Sequence, residues 1–259
     1  MQQTTTTAVA RRPRSYVRVS GPDAETYLQR MLSNDVAAAE VVDALLLTPK
    51  ARVIAPVRVW HRGTDDFLLL TEPELGEVVR SALLRSRFAA KCEIEVEEHS
   101  SAVVFGGAEG IPNPDYGEPA VEVLDTSFEP TLAEDELELL RIKAGTPRFG
   151  REIDDRVLPA EAGLVERSVS FTKGCYPGQE PIARLHHRGH ANRGLRVLAW
   201  GGSELPEYDA PVEFEGKDVG RVTSAARDSD RIVAIAYVRV EVPADAELTV
   251  GTAKARPLD

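Results

Sequence analysis

The chain has 259 residues, of which 42% are hydrophobic and 28% are charged, and its formal net charge is −11. This composition excludes disordered and collagen-like classes, and the length predicts two or three packed units, because domains cluster near roughly 100 to 150 residues. The negative charge argues against nucleic acid or a membrane surface as a direct ligand, and no apolar run approaches the roughly 18 residues of a membrane span.

The first half of the chain predicts strands and helices in a mixed order. Residues 1–14 lack the apolar core of a secretory signal and are expected to form a disordered tail. SYVRVS at 15–20 predicts a strand, and Pro22 suits the first turn of a helix that follows it. Two apolar runs within 43–60 predict a hairpin, with a further strand at 67–70.

Two Thr-x-x-Glu sequences, Thr71–Glu74 and Thr131–Glu134, are typical of capping boxes and predict a helix after each. Between them, apolar and charged residues alternate around Cys92, which predicts a half-buried strand and makes the Cys92 thiol a core group. Further strands are predicted at 102–105 and 121–124, with a Pro- and Gly-rich loop at 111–119.

The chain changes character after residue 195. Short β-type runs such as LRVLAW and RIVAIAYV are separated by Gly, Pro and Asp, and no helical period appears. This pattern predicts a small C-terminal β-barrel or sandwich behind an α+β body.

The most informative stretch is FTKGCYPGQEPIARLHHRGH, residues 171–190, which holds one of the two cysteines and three of the five histidines. Two distant cysteines make no secreted disulfide framework, so a reducing cytosol is expected. The segment from Lys173 to Arg196 contains five Lys or Arg residues and one acidic residue. Such a basic island favours a small anionic ligand or, equally, a solvated helix face. Cys175 is open to four roles: a nucleophile, a metal ligand, part of a ligand pocket, or a packing residue in a turn.

The neighbours of Cys175 favour an activated thiol or an anion-binding loop. Lys173 lies two residues before it, and a nearby cation lowers the pKa of a thiol. GQEPIARLHH, beginning at Gly178, predicts a helix with Pro181 in its first turn, so the loop would lie at the positive end of that helix. Gly174 and Gly178 would let backbone amides approach a carboxylate or a phosphate.

Metal binding and hydrolysis are less favoured by the same stretch. A structural zinc site or an iron–sulfur cluster takes four ligands, whereas one cysteine is present. His186 and His190 lie at i, i+4 without a His-Glu-x-x-His order, so no permanent metal site is predicted. As a base for Cys175, His186 or His187 would lie roughly 15 Å away along a helix. A cluster shared transiently with another chain stays open, as does contact of these histidines with a ligand or partner.

The sequence KGCYPGQE at 173–180 resembles the KGC(Y/F)xGQE signature of the YgfZ-type folate-binding proteins. These are relatives of the aminomethyltransferase (T-protein) of the glycine cleavage system. The resemblance continues in order along most of the chain, in YVRVSGPDAETYLQRMLSNDV at 16–36, LLLTPKARVIAPVRVW at 45–60, LRIKAGTPRFGREIDDRVLPAEAGL at 140–164 and IARLHHRGHANRGL at 182–195.

This resemblance implies a three-domain ring of two interleaved ferredoxin-like α+β units and a small C-terminal β-barrel, with a folate site near the central hole. The expected folate-binding region is 15–194, followed by the barrel at 195–259. Within that region, a first unit at 15–46 and 100–194 is expected to be interrupted by a second unit at 47–99.

The resemblance also implies which residues form the site. In the family the signature loop borders the folate site, which implies roles for Lys173, Cys175, Tyr176, Gly178, Gln179 and Glu180. Arg184 and Arg188 are expected to be near enough to meet a glutamate tail. Glu122 and Asp125 are candidates for the carboxylate that anchors the pterin.

The chain departs from the T-protein at one decisive place. The T-protein carries a catalytic aspartate in a Gly-Gly-x-x-Asp-Asp hairpin, and Ala55 and Pro56 stand at the Asp positions here. Aminomethyl transfer is therefore expected to be absent unless Asp65 or Asp66 substitutes. The T-protein also lacks the cysteine signature.

The resemblance therefore implies a cytoplasmic accessory protein that binds tetrahydrofolate or a one-carbon derivative. Its expected partners are iron–sulfur enzymes or assembly factors, including tRNA-modifying enzymes, and Cys175 is its expected reactive group. The alternatives are an aminomethyltransferase or other folate-dependent one-carbon transferase, and a folate-binding scaffold in which Cys175 only packs a turn.

Overall fold

The computed structural model describes residues 8–258, apart from the side chain of Arg188. Within this range the strands form a five-stranded sheet, a four-stranded sheet and a closed six-stranded barrel. The predicted α+β body followed by a β-barrel is confirmed.

The bounds of the elements are as follows. The strands are β1 (Val9–Arg11), β2 (Ser15–Ser20), β3 (Val41–Leu47), β4 (Val53–Gly63), β5 (Asp66–Thr71), β6 (Glu93–Glu97), β7 (Ser101–Phe105), β8 (Ile111–Asn113), β9 (Ala120–Leu124), β10 (Arg193–Gly201), β11 (Pro211–Phe214), β12 (Lys217–Asp228), β13 (Arg231–Arg239), β14 (Leu248–Val250) and β15 (Ala253–Pro257). The helices are α1 (Ala24–Met31), α2 (Gly76–Ser86), α3 (Glu134–Lys143), α4 (Val165–Ser168) and α5 (Gln179–Arg188), with a 3-10 turn at Pro73–Leu75. None of the described helices is long and apolar enough to cross a membrane.

The five-stranded sheet has the order β3-β4-β5-β2-β6 and is buried on both faces of its central strand β5. Successive side chains of a strand point to opposite faces. Phe67 and Leu69 of β5 accordingly pack in the core that α1 and α2 cover, whereas Leu68 and Leu70 pack with Ile111 of β8. The sheet therefore lies between its helices and the four-stranded sheet.

The four-stranded sheet, β1-β7-β9-β8, meets the barrel through helix α3. Leu137 of α3 packs in the same core as Val103 and Phe105 of β7. One turn further along, Ile142 packs against Val233 and Ile235 of the barrel strand β13. Because α3 contacts both, it fixes the barrel to the α+β body.

The division into units differs from the predicted one. Strand β2 lies between β5 and β6, so residues 15–97 form one continuous unit, and the β3–β4 hairpin crosses the predicted boundary at 46–47. The interrupted unit is instead the four-stranded sheet, because β1 precedes residue 15 and pairs with β7. Apolar patterns indicate strands but not their partners, which is why the boundary was misplaced.

The predicted N-terminal tail is ordered in the part that the structure describes. Val9 and Ala10 are buried in β1, and the N–H of Val9 donates to the hydroxyl of Thr131 at 2.9 Å. A three-residue edge strand among arginines is too short to show a period. Residues 1–7 of the predicted tail lie outside the described residues.

The two predicted helices are present, but neither predicted capping box forms. Thr71 is the last residue of β5, and its hydroxyl donates to the carbonyl oxygen of Pro56 at 2.8 Å. Helix α2 begins only at Gly76. The hydroxyl of Thr131 is the acceptor for Val9. In both cases the threonine hydroxyl that would have capped the helix is hydrogen-bonded to a residue distant in sequence. The predicted loop at 111–119 likewise contains strand β8, which pairs with β9.

Candidate functional site

The loop that carries Cys175 packs against the turn of the β3–β4 hairpin. Gly178 ends this loop with a φ of +83°, a conformation that favours glycine, and precedes the first residue of α5. A Cβ at Gly178 would lie 2.7 Å from the carbonyl oxygen of Thr48 and 3.1 Å from the Cα of Ala51. Glycine is therefore required at this position for two reasons, its backbone conformation and the close approach of the hairpin.

Tyr176 fixes the loop from within. Its side chain is buried in one cluster with Leu45, Leu47 and Val53 of the hairpin. Burial raises the pKa of Tyr176 to about 12, and among the described residues its hydroxyl has no hydrogen-bond partner. The ring holds the loop by apolar packing, so the residue before it points outward.

Lys173 fixes the other end of the loop. Its ammonium group donates to the carbonyl oxygens of Leu32 at 2.8 Å and Asn34 at 2.6 Å, in the segment between α1 and β3. Burial lowers the pKa of Lys173 to about 8, which the charge of Asp35 opposes only in part. These two bonds go to backbone oxygens and not to Cys175, so the role visible for Lys173 is to position the loop.

Cys175 is exposed between these two anchors. Cys92, in contrast, is buried under α1 and α2, and burial raises the pKa of its thiol. The prediction that Cys92 is a core group is confirmed. Of the two thiols, only that of Cys175 is available to a partner molecule.

Helix α5 presents the rest of the signature to solvent. Glu180 and Arg184 form an ion pair of 2.7 Å, with side chains 83% and 70% exposed. Gln179 is half-buried, and Ile182 packs into the core with Tyr176. The side chain of Arg188, predicted to meet a glutamate tail, lies outside the described residues.

The predicted pterin anchors Glu122 and Asp125 have hydrogen-bond partners outside the Cys175 loop. Glu122 is fully buried and accepts hydrogen bonds from Arg14 at 2.6 Å and Asn113 at 3.1 Å. Asp125 lies in an exposed turn after β9 and accepts a hydrogen bond from His99 at 2.6 Å. Both carboxylates are therefore already committed to neighbouring side chains.

A central cavity of about 780 Å³ lies where the two sheets, α3 and the barrel meet. Strands β3 and β4, helix α3 and barrel strand β12 all contribute to its wall. Arginines dominate the polar part of this wall: Arg11, Arg12, Arg14, Arg58, Arg141, Arg148, Arg151 and Arg167. None of the residues predicted for the site lines this cavity within the described part of the chain. The arginine repeats in ARRPRS and PRFGRE were the only signal for it in the sequence.

Most of these arginines are neutralised by carboxylates in the cavity wall. Arg58 donates to Asp43 at 2.9 Å and to Asp115 at 3.1 Å, and Arg167 donates to the same two carboxylates at 2.7 Å each. Burial opposes ionisation of Asp115, but Arg58, Arg167 and Arg14 outweigh it and hold the pKa of Asp115 well below its usual range. The wall is thus a fixed array of paired guanidinium and carboxylate groups.

The hairpin positions that carry the aspartates of the T-protein hold no acid. Pro56 lies on the cavity wall, and Ala55 is buried in the core beneath it. Asp66 pairs with Arg18 at 2.9 Å, does not line the cavity and cannot substitute there.

Comparisons with known proteins relate these features to named relatives. The chain is 26% identical to tRNA-modifying protein YgfZ of Edwardsiella ictaluri, over 90% of this chain and 85% of that protein. It is 26% identical to an uncharacterized protein of Haemophilus influenzae, over 81% of this chain and 80% of that protein. It is 25% identical to the mitochondrial iron–sulfur cluster assembly factor IBA57 homolog of Neurospora crassa, over 78% of this chain and 56% of that protein. No protein-family model matches the chain.

The fold has a solved counterpart. The crystal structure of glycine cleavage system aminomethyltransferase T from Bartonella henselae superposes with a TM-score of 0.79, over 97% of this chain and 84% of that chain. At 18% identity this likeness shows the fold alone. The chain is therefore similar to YgfZ-type proteins, and it has the fold of aminomethyltransferase T.

Proposed function

We propose that this chain is a cytoplasmic, tetrahydrofolate-binding accessory protein that supports iron–sulfur cluster assembly or repair, and thereby tRNA-modifying and other iron–sulfur enzymes. The names of its YgfZ and IBA57 relatives support a role in tRNA modification and iron–sulfur cluster assembly. One observation carries the proposal: the thiol of Cys175 is exposed on a loop that Lys173, Tyr176 and Gly178 hold rigidly.

The proposed chemistry of Cys175 is transient ligation of iron. The thiol loses its proton to solvent, and the thiolate replaces a water or other exchangeable ligand on an iron of a cluster carried by a partner protein, so the displaced ligand leaves to solvent. A single cysteine supplies one of four ligands, so the cluster stays bound to the partner and is not stored on this chain.

The central cavity is the proposed folate site. Its volume of about 780 Å³ suits a molecule of folate size, and its wall offers fixed donors and acceptors for a pterin. Arg11 and Arg151 are exposed at this wall, and among the described residues neither has a carboxylate oxygen within 4.0 Å. They are the cations best placed to meet a glutamate tail. Folate contacts of the signature loop, α5, Glu122 and Asp125 remain predictions.

The competing function is aminomethyl transfer on the same fold. Ala55 and Pro56 can neither hold a cation nor accept a proton, and the acids nearest in the hairpin, such as Asp43, are paired with arginines. Incubation with an aminomethyl-lipoyl donor and tetrahydrofolate is expected to give no methylene-tetrahydrofolate. Robust turnover would replace the accessory function with the transferase.

Complementation tests the role of Cys175. In a bacterial strain deleted for its own YgfZ-type gene, the wild-type chain is expected to restore the activity of iron–sulfur enzymes and Cys175→Ser is not. Cys92→Ala is the matched control, because it removes the buried thiol and leaves the exposed one. Full restoration by Cys175→Ser would exclude the proposed ligation step.

Calorimetric titration tests the folate site separately. Tetrahydrofolate with one and with three glutamates is titrated into wild type, Arg151→Gln and Arg184→Gln proteins. Loss of affinity for the triglutamate in Arg151→Gln alone supports the cavity, and loss in Arg184→Gln alone supports the predicted site on α5. No binding of any folate would remove folate from the proposal without affecting Cys175.

A further inference from the structure

The turn after helix α2 carries an aromatic side chain that the fold leaves uncovered. Phe88 is 91% exposed, the largest exposed fraction among the large hydrophobic side chains in the described range, whereas Phe128 is 36% exposed. An isolated surface hydrophobe is ordinary. Phe88 differs from such a residue in its backbone conformation and in the charges near it.

The backbone at Phe88 has a φ of +44°. A bulky residue rarely adopts this left-handed conformation, because its free-energy cost is higher for such a residue than for Gly or Asn. Such conformations persist where the surrounding structure holds them, and they are concentrated at functional positions. Phe88 therefore has a backbone conformation that is unfavourable for an aromatic residue.

Hydrogen bonds make this turn rigid. The N–H of Ala90 donates to the carbonyl oxygen of Arg87 at 2.9 Å, and the Arg87 guanidinium donates to the carbonyl oxygen of Cys92 at 3.2 Å. Just beyond the turn, the N–H of Lys91 donates to the carboxylate of Asp23 at 2.8 Å, and the Lys91 carbonyl accepts from the N–H of Asp23 at 3.3 Å. The exposed ring is thus presented by a braced turn, which lowers the entropy lost on binding.

Cations without ion-pair partners in the described part of the chain lie close to Phe88 in sequence or on the neighbouring helix α1. Arg85, Arg87 and Lys91 flank Phe88 in the chain, and Arg30 lies at the end of α1, which is joined to α2 by the hydroxyl of Tyr27. All four cations are exposed, and none has a carboxylate oxygen within 4.0 Å in the described part of the chain. Asp23 is the acid bonded to this turn, so four cations face one carboxylate there, a local excess of positive charge in a protein of net charge −11.

We propose that Phe88, with Arg30, Arg85, Arg87 and Lys91, forms a docking surface for an acidic protein partner. The ring enters an apolar pocket of that partner, and the cations face Asp or Glu side chains at its rim. Aromatic side chains and arginines are enriched at protein interfaces, and complementary charges steer the two partners together. This surface is independent of Cys175 and of the folate proposal.

The charge and the shape of the patch favour a protein over other partners. A single ring cannot stack successive bases, and a nucleic acid would meet the negative charge of the remaining molecule. The same negative charge opposes an anionic membrane surface.

A selection of displayed peptides tests the proposal. A library of random 12-residue peptides is selected on the wild-type protein after depletion on Phe88→Asn. Asn tolerates the left-handed backbone, so this variant is expected to unfold at or above the wild-type midpoint. Phe128→Ser serves as the matched control for loss of an exposed phenylalanine elsewhere.

The expected peptides contain a Leu, Phe or Trp flanked by several Asp or Glu. Synthetic copies are expected to bind Phe88→Asn and the double variant Arg30→Gln with Arg85→Gln at least tenfold more weakly than wild type, and Phe128→Ser equally well. The double variant leaves the hydrogen bond of Arg87 intact.

Several results would overturn the proposal. These are an absence of enriched peptides, peptides without acidic residues, and equal binding to Phe88→Asn. A dimer in light scattering that Phe88→Asn dissolves would assign the surface to a second copy of the chain. Tighter binding of a 20-nucleotide single strand by wild type than by Phe88→Asn would assign it to nucleic acid.

Discussion

A Cβ at Gly178 would lie 2.7 Å from the carbonyl oxygen of Thr48, so the Cys175 loop rests directly on the β3–β4 hairpin. The same hairpin carries Ala55 and Pro56, the positions at which the T-protein has its aspartates. The hairpin holds no carboxylate at these two positions, and its turn supports the loop of an exposed thiol. The position of the thiol therefore depends on a close backbone contact that only glycine at residue 178 permits.

Replacing Gly178 with alanine is expected to displace the loop. The added Cβ meets backbone atoms of the hairpin, and the φ of +83° is unfavourable for alanine. We expect a loss of about 1 to 3 kcal/mol in the free energy of unfolding, measured by urea denaturation. Gly174→Ala is the control, because a Cβ there has no heavy atom within 4 Å. Equal stability of the two variants would contradict the packing described here.

Replacing Lys173 with methionine is expected to release the loop from the segment between α1 and β3. Amide hydrogen exchange over 170–178 should become faster, because the bonds to Leu32 and Asn34 are lost. Lys173→Arg keeps a donor and should change exchange less. If Lys173→Met left exchange unchanged, Lys173 would not be an anchor of the loop.

Lys173 also predicts a dependence of stability on pH. Its folded pKa of about 8 lies below its ordinary value, so between these two values the unfolded chain binds more protons. Stability contributed through Lys173 should therefore rise as pH increases through that window. The wild type should gain stability relative to Lys173→Met from pH 8 to pH 10, and a constant difference would contradict the assignment.

Replacing Asp115 with asparagine is expected to destabilise the cavity wall. The substitution removes one of the two carboxylates that Arg58 and Arg167 share and leaves Asp43 to pair with both. Because a partner remains, we expect a loss of about 1 to 3 kcal/mol in the free energy of unfolding, below the cost of leaving a buried charge without any partner. Glu134→Gln, an exposed acid on the same wall, should cost much less in the same denaturation experiment. Because the pKa of Asp115 is depressed, its contribution should persist at neutral pH and fall only as pH drops below about 4.

His99 is expected to stabilise the molecule more strongly at acidic pH. Partial burial lowers its pKa, but hydrogen bonds to Asp125 at 2.6 Å and Glu97 at 2.9 Å outweigh burial and raise it. This contribution is complete below the ordinary histidine pKa of about 6.5 and is lost as pH rises through the folded value. The wild type should therefore lose stability relative to His99→Gln between pH 6 and pH 8. A pH-independent difference would exclude protonation of His99 as the cause.

Periodicity and motif order were sufficient to predict the fold and most of its elements, but not the short strands β1 and β8. The strand at 15–20, the hairpin within 43–60 and the helix that carries Pro181 all form, because each pattern is local. The signature at 173–180 also marked the loop that presents Cys175. Partners distant in sequence could not be predicted in the same way, and for this reason the unit boundary, the capping boxes and the N-terminal tail were misassigned.

The composition of the cavity wall shows the same limit. Arg14 and Glu122 are far apart in sequence and become partners only when β1 leads the chain into the fold between the two sheets. Isolated arginines in a sequence look like solvated charges. Their function as wall residues depends on carboxylates contributed by β3, β9 and α3, which no local pattern connects to them.

Strand β1 imposes an order on biosynthesis. Val9 leaves the ribosome well before its partners, Val104 in β7 and Thr131 before α3. At about 5 to 20 residues per second, the N-terminal segment must wait several seconds while the five-stranded sheet can already form. The four-stranded sheet and its packing against α3 therefore form only after the last strand of the five-stranded sheet has been synthesised.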